Sequence, residues 1–212
     1  LNLFTIAKKY NVNNIIFSSS ATVYGENNYP VDEDAQIGKN ITNPYGQTKY
    51  MVECILKDMV RENDKLSVTI LRYFNPVGAH SSGLLGEDPN DIPNNLFPHI
   101  LKQKLTVFGS DYKTKDGTCI RDFIHVVDLA KGHIKSLKHI DKPGCYIYNL
   151  GSGQGVSVLD IIETFEKVNK VKIDYKFGDR REGDIECVYA IVDKAKKELD
   201  WECQLTLEDI CR

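Results

Sequence analysis

Apolar residues recur along this chain with two periods. Leu3, Ile6, Ala7 and Tyr10 fall three and four apart and predict an opening helix, and Tyr45, Val52, Ile55, Leu56 and Met59 predict a second. Between them, Ile15-Ile16-Phe17 is a short run that is apolar on both faces, as are Val68-Thr69-Ile70-Leu71 and Tyr146 to Leu150, which suits buried parallel strands. Phe123 to Val127 reads as a further strand. Asn43-Pro44 marks a helix start, Asp128 reads as the cap of a helix over 129–137, and Ser157 with Asp160 reads as a capping box for a helix reaching Val168. Leu205, Leu207 and Ile210 predict a last helix. Helix and strand alternate without hairpin turns, which predicts an α/β fold with a doubly wound parallel sheet. The stretch 78–116 differs: rich in Gly, Pro, Asn and Asp, with one predicted helix over Leu96 to Leu101, it has the composition of a substrate-facing insertion. Both ends of the chain fall inside helical patterns and there is no initial Met, so a fragment is expected.

Composition narrows the function. The 212 residues are 42% hydrophobic, enough for a packed core, and exclude a disordered or collagen-like chain. With 27 Lys+Arg against 30 Asp+Glu and no dense basic stretch beyond Lys194, Lys196 and Lys197, nucleic acid and anionic membrane are poor partners. The six cysteines never form C-x-x-C and none has zinc-site spacing, which predicts free thiols, no metal and a cytoplasmic location. No apolar run approaches the ~20 residues of a membrane span.

Two local patterns bear on chemistry. Gly151-Ser152-Gly153-Gln154-Gly155 lacks the third glycine of G-x-G-x-x-G, which falls on Val156, so a tight strand-to-helix turn is the favoured reading, with a phosphate contact at the helix N-terminus as the alternative on the same geometry. Tyr45 and Lys49 share a helix face. Chance predicts about one Tyr-x-x-x-Lys in a chain of this composition, so the pair alone says nothing. Its place does: it opens the helix after the strand that ends in Ser18-Ser19-Ser20, and ligands of open α/β sheets gather at the carboxyl ends of strands. A serine hydroxyl, a phenol and an ammonium there make a proton-transfer device, because a nearby cation favours the phenolate form of a tyrosine.

The segments Ser18 to Gly25, Asn43 to Lys49 and Leu71 to His80 resemble those of the extended short-chain dehydrogenase/reductases, and within them the UDP-glucose (UDP-galactose) 4-epimerases. So do Ile92 to Leu96, Gly117-Thr118, Arg121-Asp122, His125 to Ala130, Tyr148 to Gly151 and Arg180 to Asp184. The resemblance implies a truncated Rossmann-like sheet, with residues 1–75 and a returning 119–150 belonging to the NAD-binding domain. It assigns 76–118 and 151–212 to a smaller mixed α/β domain for the UDP-sugar. The implied reaction interconverts UDP-glucose and UDP-galactose at C4 through a 4-keto intermediate, with NAD as a bound cofactor and a role in galactose metabolism.

The same resemblance distributes roles. Tyr45 is the implied proton acceptor, Lys49 its charge partner and a ligand of the nicotinamide ribose, and Ser20 a hydrogen-bond partner of the sugar oxygen. Ser18, Tyr73 and Phe74 lie on the cofactor side, and Ala21 and Thr22 beside the sugar. Asn75, Asn94, Asn95 and Leu96 contact the nucleotide sugar, while Thr106, Val107 and Phe108 flank the uracil. Arg121 and Arg181 hold the diphosphate, where a guanidinium fork binds two oxygens, and Asp184 reaches the ribose. Val188 gates the 2'-substituent, and its modest size implies some UDP-N-acetylglucosamine activity. His125 reads as structural. Related dehydratases and decarboxylases carry an acid where Ala21 and Thr22 stand, which disfavours elimination. Two other readings stay open: another sugar-nucleotide dehydratase or reductase, and a non-catalytic remnant that keeps the fold. The resemblance further implies a homodimer when full length, built on the helix of Tyr45, and a glycine loop upstream of Leu1, so that the 212 residues alone are expected to be inactive.

Overall fold

Three parallel strands, β1 (Asn14–Ser20), β2 (Ser67–Tyr73) and a later strand over Gly144–Leu150, form the central sheet in the computed structural model, which describes residues 1–91, 93, 95–102, 105–139 and 141–212. The register sets Ser20 opposite Tyr73 and Tyr73 opposite Leu150, so the three carboxyl ends finish level. Helix α1 (Asn2–Lys9) precedes β1, and α2 (Pro44–Glu62) is the crossover from β1 to β2. The predicted start of α2 is borne out: Asn43 Oδ1 accepts from the Gly46 amide at 2.8 Å and Pro44 occupies the first turn. Helix α1 also forms, but of its residues none is buried, and it meets the core through Phe4.

After β2 the chain forms β3 (Asn75–Val77), α3 (Leu96–Leu101), β4 (Leu105–Phe108), β5 (Ile120–Arg121), β6 (Phe123–His125), α4 (Val126–Ser136) and the third sheet strand, β7 (Gly144–Leu150). It closes with β8 (Val156–Ser157), α5 (Val158–Asn169), β9 (Tyr175–Gly178), β10 (Cys187–Val188), α6 (Asp193–Leu199) and α7 (Leu207–Ile210). The strands outside the central sheet pair as β3 with β6, β4 with β9, and β5 between β10 and β8. Strands β4 and β9 are parallel partners 70 residues apart in register, Leu105 facing Tyr175, a pairing that no local pattern announces.

Several buried clusters make up the core. Val68, Ile70 and Leu56, with Leu71, Tyr148 and Leu150, bury the two faces of the central sheet, the latter group against Ala195, Leu199 and Trp201. A second cluster of Val77, Phe97, Ile100, Val107, Phe123, Ile161 and Phe165 joins α3, β4, β6 and α5.

One boundary moves. The strand expected to reach Val127 ends at His125, because the His125 ring accepts from the Val127 amide and caps α4. Asp128 is therefore not the cap. It lies in the first turn, fully buried, where its carboxylate accepts from the Gln204 and Leu205 amides at 2.8 Å and fastens the C-terminal segment. The capping box at Ser157 is present as expected, and the six cysteines are free. Among the described residues no helix is long and apolar enough to cross a membrane.

Candidate active site

Tyr45 and Lys49 lie one turn apart at the start of α2, beside the end of β1. Lys49 Nζ donates to the carbonyl oxygen of Ser18 at 2.8 Å, and the ammonium stands 5.4 Å from the Tyr45 ring centre and 5.3 Å from that of Phe17. Among the described residues one of its three N–H donors is thus engaged and two remain. Tyr45 is 55% exposed, open to a ligand.

Ser20 ends β1 and is buried. Its Oγ accepts from the Thr22 amide at 3.2 Å and from Thr22 Oγ1 at 3.0 Å, capping the 3₁₀ turn Ala21–Tyr24. With both lone pairs used, the hydroxyl keeps its own O–H to donate to a ligand oxygen. That turn abuts α2 closely: a Cβ at Gly46 would lie 3.0 Å from the Thr22 side chain and carbonyl oxygen, so glycine lets the helix bring Tyr45 near the strand end.

Tyr73, opposite Ser20 in register, completes the corner. Its hydroxyl hydrogen-bonds Ser18 Oγ at 2.7 Å and His133 Nε2. His133 Nδ1 faces the carbonyl of Leu129 at 2.9 Å and must donate to it. Burial holds the Tyr73 hydroxyl above the usual tyrosine range. Phe74 is buried with Ala21, Val23 and Tyr24, and Val188 packs against the same cluster.

A cavity of about 750 Å³, the size of a small-molecule site, opens beyond Phe74. Asn75, Asn95, Leu96, Thr106, Val107, Phe108, Arg121, Arg181 and Asp184 all line it, together with Glu87, His99 and Cys119. Arg181 pairs with Asp184 through Nε at 2.9 Å and Nη2 at 3.2 Å, and its guanidinium lies 5.1 Å from the Phe108 ring centre. Arg121 approaches the same carboxylate at 3.6 Å. Two guanidinium groups thus share the Asp184 carboxylate at one side of a cavity whose wall mixes apolar side chains with Asn75, Asn95, Thr106, His99 and the second acid, Glu87. Val188 lies opposite Arg121 in the β10–β5 register. Asn94 is outside the described residues, as is Ile92 of the same motif.

The structure therefore gathers the expected residues into two adjoining groups, one at the sheet end (Ser18, Ser20, Ala21, Thr22, Tyr45, Lys49, Tyr73 and Phe74) and one around the cavity. Sequence reasoning missed Glu87, whose carboxylate accepts from the Asn95 side-chain Nδ2 at 2.6 Å, and His133. It also missed Asp122, fully buried, which accepts from the Ser152 amide and hydroxyl at 2.6 Å, the Gly153 amide at 3.0 Å and the Ala190 amide at 3.2 Å. That carboxylate, more than the glycines, holds the Gly151-Ser152-Gly153 turn; a Cβ at Gly151 would sit 2.4 Å from its Oδ2. A helical His and an Asp inside a motif gave no signal of these partners.

Comparison with known proteins agrees with this fold. The chain is 55% identical over 213 residues to a UDP-glucose 4-epimerase of Pasteurella multocida, covering 97% of this chain and 63% of that protein. It is 53% identical over 212 residues to a UDP-glucose 4-epimerase of Bacillus subtilis, covering 96% and 62%. The crystal structure of UDP-glucose 4-epimerase from Bifidobacterium longum in complex with NAD+ and UDP superimposes with a TM-score of 0.95 at 50% identity, covering 99% of this chain and 64% of that one. The chain thus spans a little under two thirds of the length of these relatives. The profile described as the NAD dependent epimerase/dehydratase family matches residues 1–151, and with that match over most of its length the chain belongs to the NAD dependent epimerase/dehydratase family.

Proposed function

We propose that this chain is the catalytic and UDP-binding part of an enzyme that interconverts UDP-glucose and UDP-galactose by inverting C4 through a 4-keto sugar. The observation that carries the reading is the junction of the Ser20, Tyr45 and Lys49 corner with a cavity holding Arg121, Arg181 and Asp184.

NAD, when bound, supplies the means of holding the C4 hydrogen as hydride and giving it back. The residues fit its nicotinamide riboside end: Lys49 has two free N–H donors for ribose hydroxyls, with Ser18 and Tyr73 beside it. Tyr45 Oη takes the proton of the sugar 4'-hydroxyl as general base and returns it after the ketone has turned over in the site. The Lys49 ammonium beside the ring offsets the negative charge on that oxygen. Ser20 donates its O–H to the same sugar oxygen and holds it through both half-reactions. Arg121 and Arg181 grip the diphosphate at a distance from the reacting carbon, so the sugar can rotate while the nucleotide stays bound. No acid stands at Ala21 or Thr22, so no side chain there assists elimination of water, which favours epimerisation over dehydration.

The reading extends to further points. The modest volume of Val188 leaves room for an N-acetyl group, so UDP-N-acetylglucosamine is a second substrate. The whole protein is a cytoplasmic homodimer using the outer face of α2. The 212 residues alone turn over no substrate, for want of the glycine loop that would hold the cofactor's pyrophosphate. The test is conversion of UDP-galactose to UDP-glucose by the full-length protein with no added oxidant. Conversion supports the reading; release of water or net consumption of NAD would replace it with a dehydratase or dehydrogenase.

A further inference from the structure

Directly beneath the Tyr45 corner lies a chain of charged and polar groups removed from solvent. Glu53, Arg72, Tyr24 and Asn149 are each at most 1% exposed. Glu53 Oε1 accepts from Ser19 Oγ at 2.6 Å and from Arg72 Nε at 3.0 Å, and its Oε2 accepts from Arg72 Nη2 at 2.8 Å. Arg72 Nη1 donates to Tyr24 Oη at 2.9 Å and to the Glu33 carbonyl at 3.1 Å, and Tyr24 Oη donates to Asn149 Oδ1 at 2.6 Å. Burial pushes the Glu53 carboxyl upward, but the fork and charge of Arg72, with Ser19 and Lys57, bring it below the usual glutamate range.

Such a pair is a costly way to fill a core. Removing two charges from water commonly offsets their attraction, and apolar side chains of similar volume are often as stabilising or more so. Geometry suggests another use. Tyr45, Lys49 and Glu53 are spaced by four residues and share one face of α2. The one carboxylate is tied to Ser19, which precedes Ser20, and to Arg72, which precedes Tyr73; through Tyr24 the ties reach Asn149 on β7. A face that presents Tyr45 and Lys49 at its top is therefore bolted, one turn further on, to the two strands that present Ser20 and Tyr73.

We propose that Glu53 and Arg72 are positioning residues that set the rotation of α2 against β1 and β2, so that Tyr45 Oη and Lys49 Nζ meet the oxygen held by Ser20. This rests on the catalytic reading of Tyr45 given above. Neither residue touches substrate; both act through α2 and the strand ends. The UDP cavity lies on other elements and is independent of them.

The experiment uses the full-length protein and four readouts: melting temperature, UDP affinity by calorimetry, and kcat and KM for UDP-galactose. In the double variant Glu53→Met with Arg72→Met, no unpaired charge is left buried. The expected result is an unchanged or higher melting temperature, UDP affinity and KM within about twofold, and kcat lowered at least about tenfold, since small misplacements of catalytic groups have effects of this size and larger. Ser19→Ala, which removes only the tie to β1, should lower kcat severalfold in a protein that still folds, with a modest fall in melting temperature from the lost hydrogen bond to the buried carboxylate. A folded double variant with the parent kcat overturns the proposal; if the double variant does not fold, the parent kcat in Ser19→Ala does so. Tyr45→Phe run in parallel separates the two readings: turnover surviving that change sinks the catalytic assignment, whereas its loss beside a fully active double variant sinks only the positioning role.

Discussion

Lys49 Nζ donates to the backbone oxygen of Ser18 at 2.8 Å, so the ammonium on α2 is fixed by the strand rather than by a side chain. A carbonyl anchor is insensitive to pH and to substitution at position 18. Among the described residues it leaves the cation beside Tyr45 without a carboxylate to neutralise it, which is the arrangement the proposed tyrosine base requires.

On the proposed catalytic reading, Tyr45→Phe in the full-length protein should therefore remove the proton acceptor and nothing else. Turnover of UDP-galactose should fall by at least about 100-fold, the usual share of a general base. UDP affinity should stay within about twofold, because the cavity lining does not include Tyr45. Calorimetry with UDP beside a turnover assay checks both halves.

Arg181→Ala should weaken UDP binding by about 10- to 100-fold, the size of one or two hydrogen bonds to a charged group. Uridine, which lacks the diphosphate, should lose far less. Equal losses for UDP and uridine, measured by titration, would place Arg181 on the nucleoside instead.

Asp122→Asn puts an NH₂ group where one oxygen now receives two N–H donors or an amide and a hydroxyl. Two buried donors then face a third, at a cost of about 3 kcal/mol. For a chain of this length the melting temperature should drop by roughly 10 °C, with the turn at Gly151 to Gly153 opening first. Calorimetry and amide exchange at those residues test it.

The Cys203 and Cys211 thiols are pushed up to about 12 by burial. At pH 8 the native protein should leave both unmodified by iodoacetamide, and both should react once it is unfolded in urea. In the unfolded chain thiols lose protons near pH 9, before the folded ones do, so the unfolded state is favoured as pH rises. Stability should accordingly decline between about pH 9 and pH 12. Mass-mapped alkylation and melting curves across that range check the two statements.

How far the sequence reached is clear from particular residues. Asn43-Pro44 and the Ser157 box started helices where expected, and three runs of apolar residues became the three parallel strands, because caps and apolar runs act within a few residues. Asp128 misled for the same reason: an acid before an apolar run has the look of a cap, while its partners, the amides of Gln204 and Leu205, lie more than 70 residues away. The β4–β9 pairing escaped notice on the same ground.

The residue types needed for the proposed proton transfer and diphosphate binding, and their order along the chain, were set by the sequence, since local hydrogen bonding and hydrophobic period depend on near neighbours. Only the tertiary structure decided which of them meet. Ser18 beneath Lys49, Arg121 on Asp184, Asp122 in its turn and Glu53 on Arg72 are contacts between segments far apart in the chain. Such contacts form where folding closes loops around a buried core, and short-range patterns carry no record of them.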